Sequence, residues 1–322
     1  MSDFLTGDEL LQAIHTPPPP AIPLVSEFLY TDSVCLLTGA AGRGKTVLAV
    51  QIAASLSSAT PLFSSLEIPT PRSVYYLQLE GSKNETLIRL HYLSQSVSVD
   101  ASRFYFDFDK RFRATLPDLV KQKLLLIKER VNGTLDLFIA DPIYKLAGDL
   151  AKAENALAVI TFSDLVTEMF HCSLLLIHHP HRERYDREGH VVKESNPYYG
   201  HSFLFNHVDS SFLMENPSKD VVELTRDKIR EENTKKHLTL TYHPESYSLS
   251  MEPEPPKRTK KAAVERFLEE CKSLQKTTTF EEIQARCQVS GGFLRELQTG
   301  YLKHGNVEFR KVPGKKTIWV PK

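Results

Sequence analysis

The sequence predicts an α/β domain with a mainly parallel sheet flanked by helices, followed by a small C-terminal module of three helices and a hairpin. Three observations predict it. Short apolar runs (Val34 to Leu37, Val74 to Leu79, Leu135 to Ala140 and Ser173 to Ile177) alternate with helical patterns, the order expected of parallel strands joined by crossover helices. Residues 39–46, GAAGRGKT, stand between the first run and an apolar helix. A proline- and charge-rich stretch with no apolar period, residues 252–261, then separates a body at 22–251 from a basic segment at 262–322.

The elements follow in order. Residues 1–21 form an arm: an amphipathic stretch from Phe4 to Ile14, then Pro17 to Pro20, a stiff polyproline spacer. The arm either docks on a neighbouring subunit or straps its own domain. Residues 22–29, IPLVSEFL, read as helix-like. The Val34 strand and the glycine-rich loop lead into a helix over Val47 to Leu56, which holds neither Pro nor Gly. After turn-rich residues 61–72, the strand VYYLQL ends at Glu80-Gly81. Helices are expected over Asn84 to Leu93, Leu116 to Arg130 and Ala153 to Phe170, and a short strand over Phe104 to Phe108. The strand LDLFIA closes on Asp141-Pro142, and SLLLI closes on His178-His179-Pro180-His181. Four short, closely spaced late strands, near Ser211, Val221, His237 and Tyr247, predict that the sheet finishes in antiparallel hairpins. Beyond the linker, Ala262 to Leu274 is amphipathic, and Thr279 is placed to cap Phe280 to Cys287 with Glu282 in the capping-box position. A third helix from Gly291 to Leu302 precedes two strands flanking Pro313-Gly314-Lys315, and the whole resembles a winged helix-turn-helix.

Composition narrows the function. No run approaches 18 uninterrupted apolar residues, so no membrane-spanning helix is expected. The N-terminus lacks a basic region followed by an apolar core, so no signal peptide is expected either. Cys35, Cys172, Cys271 and Cys287 form no C-x-x-C pair, which fits a reduced, cytoplasmic protein without a zinc or disulfide framework. The zero net charge hides an asymmetry: residues 257–322 carry 15 Lys and Arg against seven Glu and no Asp. Such a module either meets a polyanion or presents a solvated basic surface.

Gly39, Gly44, Lys45 and Thr46 match the phosphate-binding loop G-x-x-x-x-G-K-[ST]. Its glycines let successive N–H groups turn inward at the positive end of a helix. Residues Gly39, Ala40, Ala41, Gly42, Arg43, Gly44, Lys45, Thr46 and Val47 therefore form the candidate nucleoside triphosphate cradle. Lys45 would reach the β- and γ-phosphates, and Thr46 would be a ligand of Mg²⁺. Asp141, closing a buried strand, would orient the same Mg²⁺ and its waters; otherwise it merely opens the turn before Pro142. Glu80, at a strand end, could polarise an attacking water or simply stand in solvent.

With the loop GAAGRGKT, the strand VYYLQLE, the strand LDLFIAD, the segment LLLIHHPHR and the later LTRDKIR in this order, the chain resembles RecA-like ATPases, in particular the RepA-type hexameric helicase branch. The resemblance implies ATP as the nucleotide and Glu80 as the carboxylate that activates water. It implies that His179, with His178 beside it, senses the γ-phosphate. Three histidines in four residues (178, 179 and 181) also admit a metal site, although no Cys, Asp or Glu lies nearby at ligand spacing. It further implies that Lys228 and Arg230 reach a neighbouring subunit's nucleotide, with Arg230 as an arginine finger, so that sites lie between subunits of a ring or filament. The family's nucleic-acid loops correspond to residues 145–155 and 182–200. There Lys145, Lys152, Arg182, Arg184, Arg187 and Lys193 could neutralise phosphates, and Tyr185, Tyr198 and Tyr199 could stack on unpaired bases. The 182–200 segment could equally be a lid or an interface loop. In the C-terminal module Arg295, Lys315 and Lys316 are the nucleic-acid candidates.

The leading reading is a DNA-dependent ATPase, a helicase in replication or recombination of a plasmid, phage or mobile element. Its core would hold single-stranded DNA and its C-terminal module duplex DNA. The alternative is a nucleotide-switched regulatory or loader ATPase that binds duplex DNA or a protein without unwinding. A small-molecule kinase would need neither Glu80, nor Lys228 and Arg230, nor the basic module.

Overall fold

Apolar runs too short for helices pair into a nine-stranded sheet in the computed structural model, which describes residues 6–16, 21–179, 184–185, 191–192, 202–228, 236–251, 278–287, 307–310 and 318–321. The chain divides into two units, Met1–Glu252 and Pro253–Lys322.

In the first unit, helix α1 (Gly7–His15) opens on a capping box in which Thr6 N–H and Oγ1 both donate to Glu9 at 2.7 Å. Residues 22–29 are not the helix that their apolar pattern suggests. Pro23–Val25 (β1) and Leu29–Tyr30 (β2) form a small antiparallel pair, with Glu27 at φ 61° in the turn. Leu24, Val25, Phe28 and Leu29 are all buried, and Ser26 N–H bonds Glu67 O at 2.9 Å, a partner outside the segment that a helix would not use.

The large sheet is built from β3 (Val34–Thr38), β4 (Val74–Gln78), β5 (Phe104–Phe108), β6 (Leu137–Asp141), β7 (Ser173–His178) and β10 (Ser210–Ser218), all parallel, and the antiparallel β11 (Val221–Lys228), β12 (His237–His243) and β13 (Ser248–Met251). The order is β13-β12-β11-β10-β3-β7-β6-β4-β5, so the late strands are the antiparallel end of the sheet. Strand β7 lies between β3 and β6. Helix α2 (Lys45–Ser58) is buried nearly all round, as its lack of a polar face requires. It joins α3 (Lys83–Leu93) on one face, over Leu37, Tyr76, Ile139 and Ile177. Helices α4 (Pro117–Arg130), α5 (Tyr144–Ala147), α6 (Ala153–Phe170) and α7 (Ser202–His207) cover the other face, over Leu36, Leu77, Phe138 and Leu176. Consecutive strand residues thus enter opposite cores, and the central strands are buried along their whole length. Cys35 and Cys172 are buried and form no disulfide with one another.

Inside the long polar segment 182–200, which has no apolar period, β8 (Arg184–Tyr185) pairs antiparallel with β9 (Val191–Val192). In the second unit, α8 (Phe280–Cys287) carries the expected cap: Thr279 N–H donates to Glu282 at 2.9 Å and Glu282 N–H to Thr279 Oγ1 at 3.3 Å. Strands β14 (Thr278–Thr279), β15 (Val307–Arg310) and β16 (Ile318–Pro321) form a sheet in the order β14-β16-β15. The expected helices over 262–274 and 291–302 lie outside the described residues. No helix among the described residues is long and apolar enough to cross a membrane.

Candidate nucleotide site

The site grows from the carboxyl ends of β3, β4, β6 and β7, where parallel strands deliver their following loops to one rim. The first is the glycine-rich loop. Gly42 and Gly44 take φ 76° and 93°, which L side chains rarely adopt, and Gly44 stands as the N-cap of α2. Gly39 is required for another reason: a Cβ there would lie 2.5 Å from the carbonyl oxygen of Met214 on β10. Lys45 is buried, and its Nζ donates to the Gly39 and Ala40 carbonyls at 2.6 and 2.8 Å. Burial pushes its pKa down to about 8, against the pull of Asp141 and Glu80.

Thr46 Oγ1 donates to Asp141 Oδ2 at 2.8 Å, so the structure joins the two residues read as metal ligands across 95 positions. The Tyr76 hydroxyl donates to the same Oδ2 at 2.5 Å. Burial raises the Asp141 carboxyl above its ordinary range, although both hydroxyls oppose that. Asp141 Oδ1 is buried without a hydrogen-bond partner among the described residues. An unspent carboxylate oxygen beside a threonine hydroxyl fits a hard divalent cation held directly or through water. Asp141-Pro142 is a cis peptide.

Glu80 sits at the end of β4, half-buried. Tyr144 on α5 donates its hydroxyl to Glu80 Oε2, and His179 Nε2 stands 3.5 Å from Oε1, the length of an ion pair rather than of a well-made hydrogen bond. His179 and then Tyr144 hold the Glu80 carboxyl below its usual range, against the effect of burial. Gln78 shapes the turn from below: its Nε2 donates to Glu80 O at 2.7 Å, and it accepts from Thr86 of α3 at 2.8 Å. Among the described residues no group of three His, Cys, Asp or Glu is disposed to hold a metal.

Gln78, Glu80, Asp141 and His179 line one cavity of about 430 Å³ together with residues 42–47. Its lining includes Arg89 on α3 together with Asn216 of β10, Lys219 in the turn after it, Tyr242 of β12 and Tyr247 in the turn before β13. The loop residues, Glu80, Asp141 and His179 thus come together. Lys228 is placed elsewhere: its Nζ donates to the Phe205 and Asn206 carbonyls of α7 at 2.8 and 3.0 Å. Arg230, Arg182, Arg187, Lys193, Tyr198, Tyr199, Arg295, Lys315 and Lys316 lie outside the described residues, and Arg184 and Tyr185 are known only as the backbone of β8. Sequence reasoning missed Tyr76, Gln78, Tyr144, Arg89, Tyr242 and Tyr247. Only Tyr76 left a signal, because a tyrosine in a fully buried strand needs a partner for its hydroxyl.

A family model described as an AAA domain matches residues 4–184, more than half of the chain. The chain belongs to that family. Its core is that of a RecA-like P-loop ATPase, with the AAA domain supplying the loop, Glu80, Asp141 and His179 from within the matched residues. Among solved structures, a KaiC-like protein of the hyperthermophilic archaeon Pyrococcus horikoshii OT3 is similar to it. That protein is 15% identical, with 71% of this chain and 94% of the other covered at a TM-score of 0.48. No curated protein matches the sequence.

Proposed function

We propose that this AAA domain protein is a DNA-dependent ATPase of the RepA-type branch, a helicase that hydrolyses ATP in an oligomer. The observation that carries the ATPase part is the convergence of Lys45, Thr46, Asp141, Glu80 and His179 on one cavity. Lys45 exchanges its two carbonyl partners for phosphate oxygens. Thr46 and Asp141 would hold Mg²⁺, which would supply charge neutralisation at the triphosphate. Glu80 takes the proton of the attacking water, and His179, between Glu80 and the loop, reports the γ-phosphate. Arg89, Tyr242 and Tyr247 line the same cavity and are the candidates to receive a base. Arg230, following β11, is the candidate finger in trans.

DNA enters this reading through the basic unit at 253–322, read as a winged helix. Its capped α8 and the sheet β14-β16-β15 support that reading. One observation favours the non-unwinding switch or loader instead: Lys228 is spent on its own α7, where a cation meets the last carbonyls of a helix.

The test is steady-state ATP hydrolysis across protein concentration, with and without single-stranded DNA, beside Lys45→Ala and Arg230→Ala. The proposal expects turnover that rises with concentration and with DNA and is lost in both variants. Slow turnover indifferent to DNA and concentration would assign the switch. Retained turnover in Lys45→Ala would remove the ATP site itself.

A further inference from the structure

We infer that Tyr144 is the positioning residue for Glu80, tying the aim of this carboxylate to the segment that follows Asp141. The inference rests on Glu80 being the group that activates water. A glutamate on a strand end has three side-chain torsions, and a general base must face one water. Here the Tyr144 hydroxyl donates to Oε2 and leaves Oε1 as the oxygen that faces His179, which lines the cavity with Glu80.

The tether is itself fixed. Tyr144 stands three residues beyond Asp141 on the single turn α5, whose Leu146 and Ala147 are buried, as is Ile143 just before it. Ile143 N–H bonds Ile177 O of β7 at 2.9 Å, and Ala114 N–H bonds Leu146 O at 2.8 Å. Gly148, at φ 90°, ends the turn by donating to Tyr144 O at 2.7 Å. The ring meets His179 edge-on at 5.8 Å. One short segment therefore carries the metal-facing Asp141 and the clamp on Glu80, and a shift of that segment would move both.

Tyr144→Phe keeps the ring and its contact with His179 and removes only the hydroxyl. ATP turnover (kcat) should fall on the order of 10- to 100-fold, the cost of a misaimed reacting group. The dissociation constant for ATP and the melting temperature should stay at wild-type values. In Glu80→Asp, whose carboxylate is one methylene short of the hydroxyl, adding Tyr144→Phe should change nothing. Unchanged or raised turnover in Tyr144→Phe overturns the inference, as does an equal loss in the Glu80→Asp background. Full turnover in Glu80→Gln instead shows that Glu80 is not the base, and overturns the inference together with that part of the function it rests on. A Glu80→Gln chain that is inactive, beside a Tyr144→Phe chain that is not impaired, sinks the inference alone.

Discussion

Gln51 and Leu249, 198 residues apart, exchange two hydrogen bonds of 2.7 Å: the Gln51 amide donates to the Leu249 carbonyl, and the Leu249 N–H donates to Gln51 Oε1. Both residues are buried. Strand β13 is the edge of the sheet, and its outward backbone groups would have no ladder partner. A side chain of the P-loop helix takes that place and binds the antiparallel end of the sheet to the loop that holds phosphate. Replacing it with Gln51→Leu should cost about 2–4 kcal/mol, since two buried backbone groups lose their partners. Calorimetric unfolding of the full chain checks this. A shift in melting temperature within error would show that water replaces the amide.

Gly39→Ala should destabilise the same region by about 1–3 kcal/mol. The new Cβ meets the Met214 carbonyl at 2.5 Å, and Leu213 pairs with Thr38 in the adjoining ladder, so neither backbone can yield cheaply. Nucleotide affinity should fall with it, measured by titration with a fluorescent ATP analogue. A variant with wild-type melting and affinity would contradict the contact.

Tyr247→Ala should weaken ATP roughly tenfold, in keeping with about 1–3 kcal/mol for a base stacked on an aromatic ring. Inorganic tripolyphosphate, which has no base, should bind the variant as it binds the wild type. Calorimetric titration with both ligands separates a contact with the base from one with the phosphates. An equal loss for both would place Tyr247 in loop structure rather than against the base.

A pH dependence of stability follows from the cluster at the end of β5. Lys123 bonds Asp107 at 2.6 Å and Asp109 at 2.9 Å. Burial alone would raise the Asp109 carboxyl, but the Lys123 ammonium and the Arg111 and Phe112 amides outweigh it and hold the group below its ordinary range. Burial likewise opposes the Lys123 charge, and the two carboxylates outweigh it, so that its pKa is raised. The depressed Asp109 contributes above its unfolded pKa and loses that contribution as pH falls through its folded value. The raised Lys123 contributes at neutral pH and loses it as pH rises through its folded value. Lys123→Met should therefore cost about 1–2 kcal/mol near neutrality, with the difference shrinking below about pH 4. Denaturant titrations of both proteins from pH 3 to about pH 8 read it. A difference independent of pH would mean that packing of the lysine stem, not charge, is what the substitution removes.

Most strands and helices of the ATPase core were legible because each is set by contiguous residues: a buried strand needs an apolar run, and α2 needs a run without Pro or Gly. Residues 22–29 misled because the same apolar density serves a helix face or a buried hairpin, and only the Glu67 carbonyl that accepts from Ser26 decides between them. Within the site, Lys45, Thr46 and Asp141 stood out because phosphate and metal chemistry constrains residue type and position at once. Tyr144 did not, since a tyrosine after Asp-Pro-Ile has no local pattern and its role exists only against Glu80, 64 residues earlier.

The sequence by itself determined the phosphate loop, the acids at two strand ends and the alternation that makes the sheet parallel. These depend on local backbone geometry and on the two-residue period of a strand. Only the tertiary structure decided that Tyr76 and Thr46 share one oxygen of Asp141, that Tyr144 holds Glu80, and that Gln51 closes the sheet edge. The reason is the packing of the sheet: the neighbouring parallel strands β3, β7, β6 and β4 deliver loops distant in sequence to one rim, and α2 lies against the edge strand β13. Hydrogen bonds of 2.5–2.8 Å then form between groups whose spacing along the chain carries no information about one another.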